Sequence, residues 1–316
     1  MIVLRGLEEL RQKYPSPVVT IGNFDGVHLG HQALFAKARE RALALGGASL
    51  AMTFEPHPMR VLRPAVNLPL ITPLEQKLQL IEAQGVDVAL CVQFDAGFAA
   101  LSADDFVDKL LVARLRAAEV VVGYDFSFGH RGLGDLELLQ QKGAQHGFAV
   151  HVVGPVLVDG RAVSSTRVRQ EVGAGHLAEA RKLLGRNYRI AGTVVSGHGR
   201  GAKVVGFATA NIKVSDELLP AEGVYAVLVQ DDQGKLHKGV TNIGNNPTFA
   251  DAQLSVETHL LDYHGDLYGK HIVVIFIEYL RGEQKFASAD ELKAQIAKDI
   301  QRAHCVLDQD LSRRQA

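Results

Sequence analysis

The sequence predicts an α/β domain with a doubly wound parallel sheet over residues 1–185, followed by a small antiparallel β-barrel with a C-terminal helix over residues 186–316. Two observations predict this fold. Up to about residue 155, nearly continuous apolar runs alternate with helical patterns, which is typical of strands buried on both faces of a parallel sheet. Beyond residue 186, short strands follow one another with only turn residues between them, which favours an antiparallel barrel. The length of 316 residues fits two domains.

The α/β half contains five predicted strands separated by helices. The strands are expected at 17–22, 48–54, 86–94, 118–123 and 148–156. The helices are expected near 31–45, 73–84, 102–117 and 134–146, with one or two more within 164–185 that close the domain. Ligands of such sheets bind at the carboxyl ends of the strands, so a site is expected in the loops that follow them.

The second half contains six predicted strands and a final helix. The strands are expected at 188–196, 204–214, 223–230, 236–243, 254–262 and 271–280. Ser288 and Glu291 are spaced as a capping box at the start of the last helix. Leu292, Ile296 and Ile300 then recur every four residues, so we expect this stripe to pack on the barrel.

Composition narrows the function classes. Lys and Arg number 34 against 35 Asp and Glu, a balance that argues against a broad nucleic-acid or membrane-binding surface. No apolar run approaches ~18 residues, and the N-terminus resembles neither a signal nor a transit peptide. Cys91 and Cys305 lack metal-type spacing, which favours a reducing, cytoplasmic compartment. We therefore expect small-molecule partners and neither nucleic acid nor membrane, and nothing in the sequence specifies an oligomeric state.

The stretch TIGNFDGVHLGH, residues 20–31, lies at the first strand-to-helix turn. Its glycines permit a tight turn, and Gly30 has no side chain to obstruct a ligand. His28 and His31 are three residues apart, so both rings are expected on one face of the first helical turn. There they could donate hydrogen bonds to phosphate oxygens, alongside the free N–H groups of the helix N-terminus. Two alternatives stay open: a metal site, which lacks further ligands, and histidines bonded to neighbouring loops.

Two more segments of the first half carry candidate residues. SSTRVR, residues 164–169, joins hydroxyl groups that can cap a helix to Arg167 and Arg169, and arginine suits multidentate recognition of phosphate. An ordinary helix start with solvated arginines explains this run as well. The segment VGYDFSFG presents Phe126 and Phe128 after the fourth strand, either as a surface for a flat ring or as anchors in the core.

The barrel carries two groups of candidate residues. Thr209 and Asn211 follow a Gly-rich loop and share one face of a strand, and neutral oxygen ligands of this kind suit Mg²⁺ beside a nucleotide. Glu257 shares a strand face with Ser255 and His259, where its carboxylate could accept a proton from an attacking hydroxyl. Taken alone, the residues favour a polar hairpin surface and a solvated Glu–His face. A Walker P-loop is absent from the sequence.

Read in order, GNFDGVHLGH, TFEPHP, VGYDFSFG, SSTRVR, GFATAN, GVTNIGNNPTF, VETHLLDY and DLYG resemble the bacterial bifunctional riboflavin kinases/FMN adenylyltransferases, or FAD synthetases. The resemblance implies an HxGH nucleotidyltransferase domain in which His28 and His31 bind the ATP phosphates while the FMN phosphate attacks and pyrophosphate leaves. It also implies a barrel that phosphorylates riboflavin with Mg-ATP, in which Thr209 and Asn211 organise Mg-ATP and Glu257 activates the 5′-hydroxyl. The implied small molecules are riboflavin, ATP, FMN and FAD, with Mg²⁺ as the metal.

The same resemblance gives the remaining expected contacts. ATP or phosphate binding is expected at Gly22, Asn23, Phe24, Asp25, Gly30, Ser165, Thr166 and Arg167. Flavin contacts are expected at Phe54, Pro56, His57, Asp125, Phe126 and Phe128.

One position departs from the family pattern, because Ala208 stands where the family motif PTAN has proline. Proline fixes φ and lacks an N–H donor, so alanine loosens this turn. We expect kinase activity to survive the change, since Thr209 and Asn211 are retained. Two other functions stay open: an adenylyltransferase whose barrel is a degenerate flavin-binding module, and a non-catalytic flavin or nucleotide sensor.

Overall fold

The computed structural model describes residues 1–10, 14–195, 209–245 and 254–315. The chain divides into two compact units, Met1–Ser165 and Thr166–Ala316. Among the described helices, none is long and apolar enough to cross a membrane.

Six parallel strands form the sheet of the first unit. They are β1 (Ile2–Leu4), β2 (Val18–Ile21), β3 (Ser49–Glu55), β4 (Val88–Gln93), β5 (Glu119–Gly123) and β6 (Ala149–Val153). Their order is β1-β4-β3-β2-β5-β6, with every neighbouring pair parallel. The winding direction therefore reverses between β2 and β5, which confirms the doubly wound sheet. The predicted strands are all present, and the prediction missed β1, a three-residue strand at the sheet edge.

Helices cover both faces of this sheet. They are α1 (Leu29–Ala44), α2 (Pro58–Leu62), α3 (Leu74–Ala83), α4 (Ala96–Ala99), α5 (Ala103–Asp105), which continues as a π-helix (Phe106–Arg114), and α6 (Leu136–His146). Alternate strand residues enter two separate cores: Leu50 and Met52 lie in one, and Ala51 lies in the other. Burial on both faces explains why the strands have no polar alternation. A short hairpin, β7 (Leu157–Val158) and β8 (Arg161–Ala162), follows β6.

The second unit is a closed antiparallel barrel with helices at both ends of its sequence. Its elements are α7 (Ser165–Gly173), α8 (Leu177–Leu184), β9 (Arg189–Val195), β10 (Ala210–Lys213), β11 (Gly223–Gln230), β12 (Leu236–Asn245), β13 (Leu254–Leu260), β14 (His271–Arg281) and α9 (Ala289–Gln315). The strand order around the barrel is β10-β13-β12-β11-β14-β9. This confirms the predicted barrel. The first residues of the second predicted strand, 204–208, lie outside the described residues.

Helix α9 packs on β11, β12 and β14. The Glu291 N–H donates to Ser288 Oγ over 3.2 Å, as the capping box predicts, but the Glu291 carboxylate accepts from the Ala287 N–H instead of that of Ser288. The reciprocal half of the predicted box is therefore displaced by one residue. Ile300 packs into the core that α9 shares with the barrel, and Leu292 and Ile296 line a cavity beside it.

Candidate active sites

A cavity of about 360 Å³ opens at the carboxyl ends of β2, β5 and β6, where the winding direction reverses. Doubly wound sheets bind ligands at this position. Of the residues predicted to bind ATP or phosphate, its walls include Gly22, Asn23, Phe24, His28, Gly30, His31 and Ser165. We refer to it as the nucleotide cavity. The sequence prediction that a site follows these strands agrees with its position.

The turn between β2 and α1 is strained. Phe24 has a φ of 50° and Val27 a φ of 40°, a region that non-glycine residues rarely adopt and that is most unfavourable for a β-branched one. The fully buried Phe24 ring packs against Phe35, with ring centroids 4.6 Å apart, and anchors the turn in the core. A Cβ at position 22 would lie 2.8 Å from this ring, so Gly22 is required for the chain to fold over it.

His28 and His31 lie stacked at the start of α1, with ring centroids 3.6 Å apart and an interplanar angle of 19°. The prediction put both on the first helical turn, but α1 begins at Leu29, so His28 is its N-cap. His28 Nδ1 accepts the His31 N–H over 3.4 Å, which puts the proton of the neutral His28 ring on Nε2 and makes that atom a donor. A Cβ at position 30 would lie 3.1 Å from His28 Cε1, so Gly30 makes room for the ring.

Asp25 braces this turn and does not line the cavity. Its buried carboxylate accepts from the Thr72 N–H at 2.9 Å and from the Ile71 N–H at 3.2 Å. Its carbonyl oxygen accepts from Ser165 Oγ at 2.8 Å, which ties the start of the SSTRVR segment to the turn. The next two residues of that segment begin the second unit; Thr166 is exposed and Arg167 is buried.

A second cavity, of about 420 Å³, lies beside the first and is lined by six phenylalanines: Phe54, Phe94, Phe98, Phe106, Phe126 and Phe128. Neighbouring rings among them lie 5.3 to 6.4 Å apart. The two cavities share Ile21, Asn23, Phe54, Phe126 and Ser127. Aromatic walls of this kind accept a flat ring. We refer to it as the aromatic cavity; together with the nucleotide cavity it can hold two ligands end to end.

The predicted flavin residues fall in three places. Phe54, Phe126 and Phe128 line the aromatic cavity, and Asp125 lines the nucleotide cavity. Neither Pro56 nor His57 is part of the lining of either cavity. His57 instead caps α2, where its Nδ1 accepts the Met59 N–H over 3.2 Å.

Sequence reasoning missed the other three rings of the aromatic cavity. Phe94 directly follows β4, Phe98 lies on α4 and Phe106 begins the π-helix. A signal was available for the first two, because the segment FDAGF stands at the carboxyl end of a predicted strand.

In the second unit, a cavity of about 460 Å³ lies between the outer face of the barrel and α9. Its polar wall consists of Thr209, directly before β10, and the strand residues Asn242, Glu257 and His259; its apolar wall consists of Leu292, Ile296 and Ile300 of α9. Arg281 at the end of β14, and Glu283 and Phe286 after it, border the cavity. We refer to it as the barrel cavity.

The polar side chains on either side of Glu257 are set by the register of three strands. Glu257 of β13 lies opposite Asn211 of β10 on one side and Asn242 of β12 on the other, so the three side chains share a face. Its neighbour Thr258 points into the barrel, where its Oγ1 lies 2.8 Å from Thr241 Oγ1. The predicted alternation along β13 is therefore confirmed. Asn242 was missed, and Asn211 is not part of the cavity lining although Thr209 is.

Burial raises the pKa of Glu257 above its usual range. Within the described part of the chain, the Glu257 carboxylate has no hydrogen bond or ion pair. A carboxylate that is desolvated and directed at a cavity can accept a proton from a bound hydroxyl. The Gly-rich loop before Thr209, including Ala208, lies outside the described residues.

A partly buried ion pair fixes the border of the barrel cavity. Arg281, at the end of β14, donates from Nη2 to Asp299 Oδ2 on α9 over 2.8 Å, and its Nε donates to the same carboxylate. Gln295 donates to Asp299 Oδ1 over 2.9 Å. This network holds the segment after β14 against α9, so the polar and apolar walls of the cavity keep their separation.

Comparison with known proteins links both units to one pair of activities. A family model described as FAD synthetase matches residues 10–167, and one described as riboflavin kinase matches residues 184–307. The bifunctional riboflavin kinase/FMN adenylyltransferase of Pseudomonas fluorescens is 42% identical over 307 residues, which cover 97% of this chain and 98% of that protein. The protein of the same name from Escherichia coli K12 is 43% identical over 300 residues, covering 95% of this chain and 96% of that protein.

A solved structure shares the fold of the whole chain. It is titled a macrolide-efflux protein from Streptococcus pneumoniae and is 29% identical. The superposition has a TM-score of 0.86 and covers 96% of this chain and 99% of that chain.

Proposed function

This chain belongs to the bifunctional riboflavin kinase/FMN adenylyltransferase family, and we propose that each of its units carries one of the two reactions. In the barrel, ATP phosphorylates riboflavin to FMN and leaves as ADP. In the α/β unit, ATP adenylylates FMN to FAD and pyrophosphate is released. The observation that carries this division is the wall shared by the histidine-lined nucleotide cavity and the aromatic cavity. We keep the boundary between the two activities at residues 185/186, close to residue 184, where the riboflavin kinase model begins; α7 and α8 of the second compact unit then precede the kinase barrel.

In the adenylyl transfer, the isoalloxazine ring of FMN occupies the aromatic cavity and the ATP phosphates occupy the nucleotide cavity. A phosphate oxygen of FMN attacks the α-phosphorus of ATP at the shared wall. The new P–O bond forms as the bond from the α-phosphorus to the bridging oxygen of pyrophosphate breaks. Negative charge spreads over the non-bridging oxygens, where His28 Nε2 and the His31 ring donate hydrogen bonds. Their fixed position at the start of α1 adds the positive end of the helix.

The other residues predicted to bind ATP or phosphate fall into two groups, those that line the nucleotide cavity and those that do not. Gly22, Asn23, Phe24, Gly30 and Ser165 are proposed nucleotide contacts because they line the nucleotide cavity. Asp25 is proposed to shape the turn without touching phosphate, because its carboxylate is bonded to the backbone of residues 71 and 72.

Five further residues keep their predicted roles with less support from the geometry. Asp125 lines the nucleotide cavity, so we propose that it contacts the ligand on that side. The assignments of Thr166 and Arg167 to phosphate, and of Pro56 and His57 to flavin, rest on the family resemblance alone.

In the kinase reaction, Glu257 removes the proton of the riboflavin 5′-hydroxyl as the hydroxyl oxygen attacks the γ-phosphorus of ATP. The bond from that phosphorus to the ADP oxygen breaks in the same step. The amide of Asn242, opposite Glu257 in register, is suited to hold the hydroxyl or a phosphate oxygen in line.

The donor set beside Glu257 fits Mg²⁺. Thr209 and Asn211 offer a hydroxyl and an amide oxygen two residues apart, and Glu257 lies opposite Asn211. Magnesium binds few protein oxygens and shares the rest of its shell with water and nucleotide phosphates. When bound, it neutralises charge on the transferring phosphates. We propose that both reactions run in the cytoplasm, which is supported by the free thiols of Cys91 and Cys305.

One assay tests the proposal. Purified protein is supplied with Mg-ATP and either riboflavin or FMN, and the flavins are resolved by chromatography. We expect FMN and FAD from riboflavin, and FAD from FMN. FAD from FMN alone would indicate a degenerate barrel, and product from neither substrate would indicate a sensor.

A further inference from the structure

Lys77, on α3, is a lysine that neither reaction uses and that the fold buries almost completely, with 4% of its surface exposed. Its Nζ donates to the carbonyl oxygen of Asn23 over 3.2 Å and to that of Phe54 over 3.4 Å. These carbonyls belong to the turn after β2 and to the end of β3. One ammonium group thus joins two segments that come from different strands.

The two residues it joins are not arbitrary members of the site. Asn23 and Phe54 are among the few residues that line both the nucleotide cavity and the aromatic cavity. Thr53 Oγ1 donates to the same Asn23 carbonyl over 3.1 Å, so this oxygen is held from two sides. The distance between the two ligands depends on this wall, because the FMN phosphate must meet the α-phosphate there.

Stability alone does not explain a lysine at this position. Burial lowers the pKa of Lys77, with only partial compensation from the charges of Glu55 and Asp25. No ion pair within 4.0 Å engages Lys77 in the described part of the chain. A buried ammonium without a direct ion pair costs folding free energy, which an apolar side chain of similar volume avoids.

Building on the proposed function, we propose that Lys77 is a positioning residue for adenylyl transfer. Its ammonium sets the spacing of Asn23 and Phe54, and through them the alignment of the FMN phosphate with the α-phosphorus of ATP. Lys77 lines neither cavity, so it acts through these two carbonyls without touching substrate. Misalignment of reacting atoms by about 1 Å can cost ~100-fold in rate.

The test compares Lys77→Met with Lys142→Met. Lys142 is a half-buried lysine of the same unit, and it is paired with the exposed carboxylates of Asp104 at 2.7 Å and Asp108 at 3.1 Å. For each full-length variant we would measure thermal unfolding, FAD formation from FMN, and FMN formation from riboflavin. The last activity belongs to the other unit and serves as an internal control.

We expect Lys77→Met to keep or raise the unfolding temperature and to lower kcat for FAD formation by ~30- to 100-fold, with KM for ATP and for FMN changed less than about threefold. We expect Lys142→Met to unfold at a slightly lower temperature with its FAD kcat unchanged. Kinase activity should be unchanged in both. A lysine with a merely structural role would not lower kcat while the KM values and the unfolding temperature stay unchanged.

Two results would overturn the inference. If Lys77→Met forms FAD at the wild-type kcat, or if its loss of activity follows a loss of stability as large as that of Lys142→Met, the ammonium does not position the substrates. A wild-type protein that forms no FAD from FMN would contradict the proposed function itself. The two failures are therefore distinguishable.

Discussion

The two candidate sites are held together by different parts of the chain. In the α/β unit, the nucleotide cavity depends on backbone geometry: a strained turn folded over Phe24, and a helix start capped by His28. In the barrel, the polar side chains around Glu257 depend on strand register, which brings one side chain each from β10, β13 and β12 onto one face. The two histidines are therefore brought together within one local turn, although other strands complete the cavity around them, whereas the residues of the barrel site meet only once distant strands have paired.

The largest expected effect is the separate loss of each activity in a different variant. His31→Ala should lower FAD formation from FMN by ~100-fold or more, because a donor to the transferring phosphoryl group is lost. Glu257→Ala should lower FMN formation from riboflavin by ~100- to 10,000-fold, because the proton acceptor is lost. Each variant should keep the other activity, and chromatography of the flavins measures both.

The crossed design is its own control, since each variant reports on a folded second unit. If His31→Ala also removed FMN formation, or Glu257→Ala also removed FAD formation from FMN, the assignment of one reaction to each unit would be incorrect. Retention of full activity in either variant would remove that residue from its mechanism.

A smaller effect tests whether register builds the barrel site. Asn242→Ala should lower kinase kcat/KM by ~10- to 100-fold, because a hydrogen bond to a charged group is lost beside Glu257. FAD formation from FMN should not change. Gln230→Ala provides the control, since this amide lies at the far end of the neighbouring strand and, among the described residues, donates to the Gly234 carbonyl oxygen over 3.2 Å. Equal kinase activity in the two variants would contradict a role for Asn242, which lies opposite Glu257 on the neighbouring strand.

Asn242 also illustrates which parts of the site could be predicted. The residues of the nucleotide cavity after β2 lie within one twelve-residue stretch, so their spacing alone brought most of them together. The strand alternation similarly predicted the face of Glu257. The partner across the sheet could not be found in this way, because register depends on pairing between segments far apart in sequence.

The aromatic cavity shows the same limit in the first unit. Phe126 and Phe128 could be found because they share a motif, whereas Phe106 reaches the cavity from a π-helix that the sequence predicted only as ordinary helix. Lys77 was missed for a related reason. A helical sequence pattern does not predict that Lys77, the fourth residue of α3, points inward and donates to the carbonyl oxygens of two other segments.

The pH dependence of the kinase should sharpen the contrast between the sites. Glu257 must be ionised to accept a proton, and burial raises its pKa. FMN formation should therefore fall in acid at a pH above the ordinary glutamate value of ~4.3. The measurement is kcat/KM for riboflavin against pH at saturating Mg-ATP. The residual activity of Glu257→Gln should lack this acid limb, and a limb at the ordinary value in the wild type would contradict a desolvated base.

The smallest expected effect concerns stability. Replacement of a buried glutamate by glutamine should lower the stability at pH 8 in the α/β unit and raise it in the barrel unit. In the α/β unit, the Arg41 guanidinium, 2.7 Å from Glu119, lowers the pKa of that carboxyl, and His151 lowers it further. Glu119 therefore stabilises the fold above its unfolded pKa, and this contribution is lost as pH falls through the lower folded value. Glu119→Gln should unfold at a lower temperature than the wild type at pH 8.

In the barrel unit, burial raises the pKa of Glu217 to about 7, although its carboxylate accepts the Ala191 N–H over 2.9 Å. Between the unfolded value of ~4.3 and about 7, the folded state holds one more proton than the unfolded state, so stability falls as pH rises across this window. Glutamine keeps an acceptor for Ala191 and carries no charge. Glu217→Gln should therefore match the wild type at pH 4, below this window, and exceed its free energy of unfolding at pH 8 by about 1–3 kcal/mol, as measured by urea unfolding. A destabilised Glu217→Gln at pH 8 would mean that this carboxylate, like Glu119, is held in its ionised form by its surroundings, and the contrast between the units would disappear.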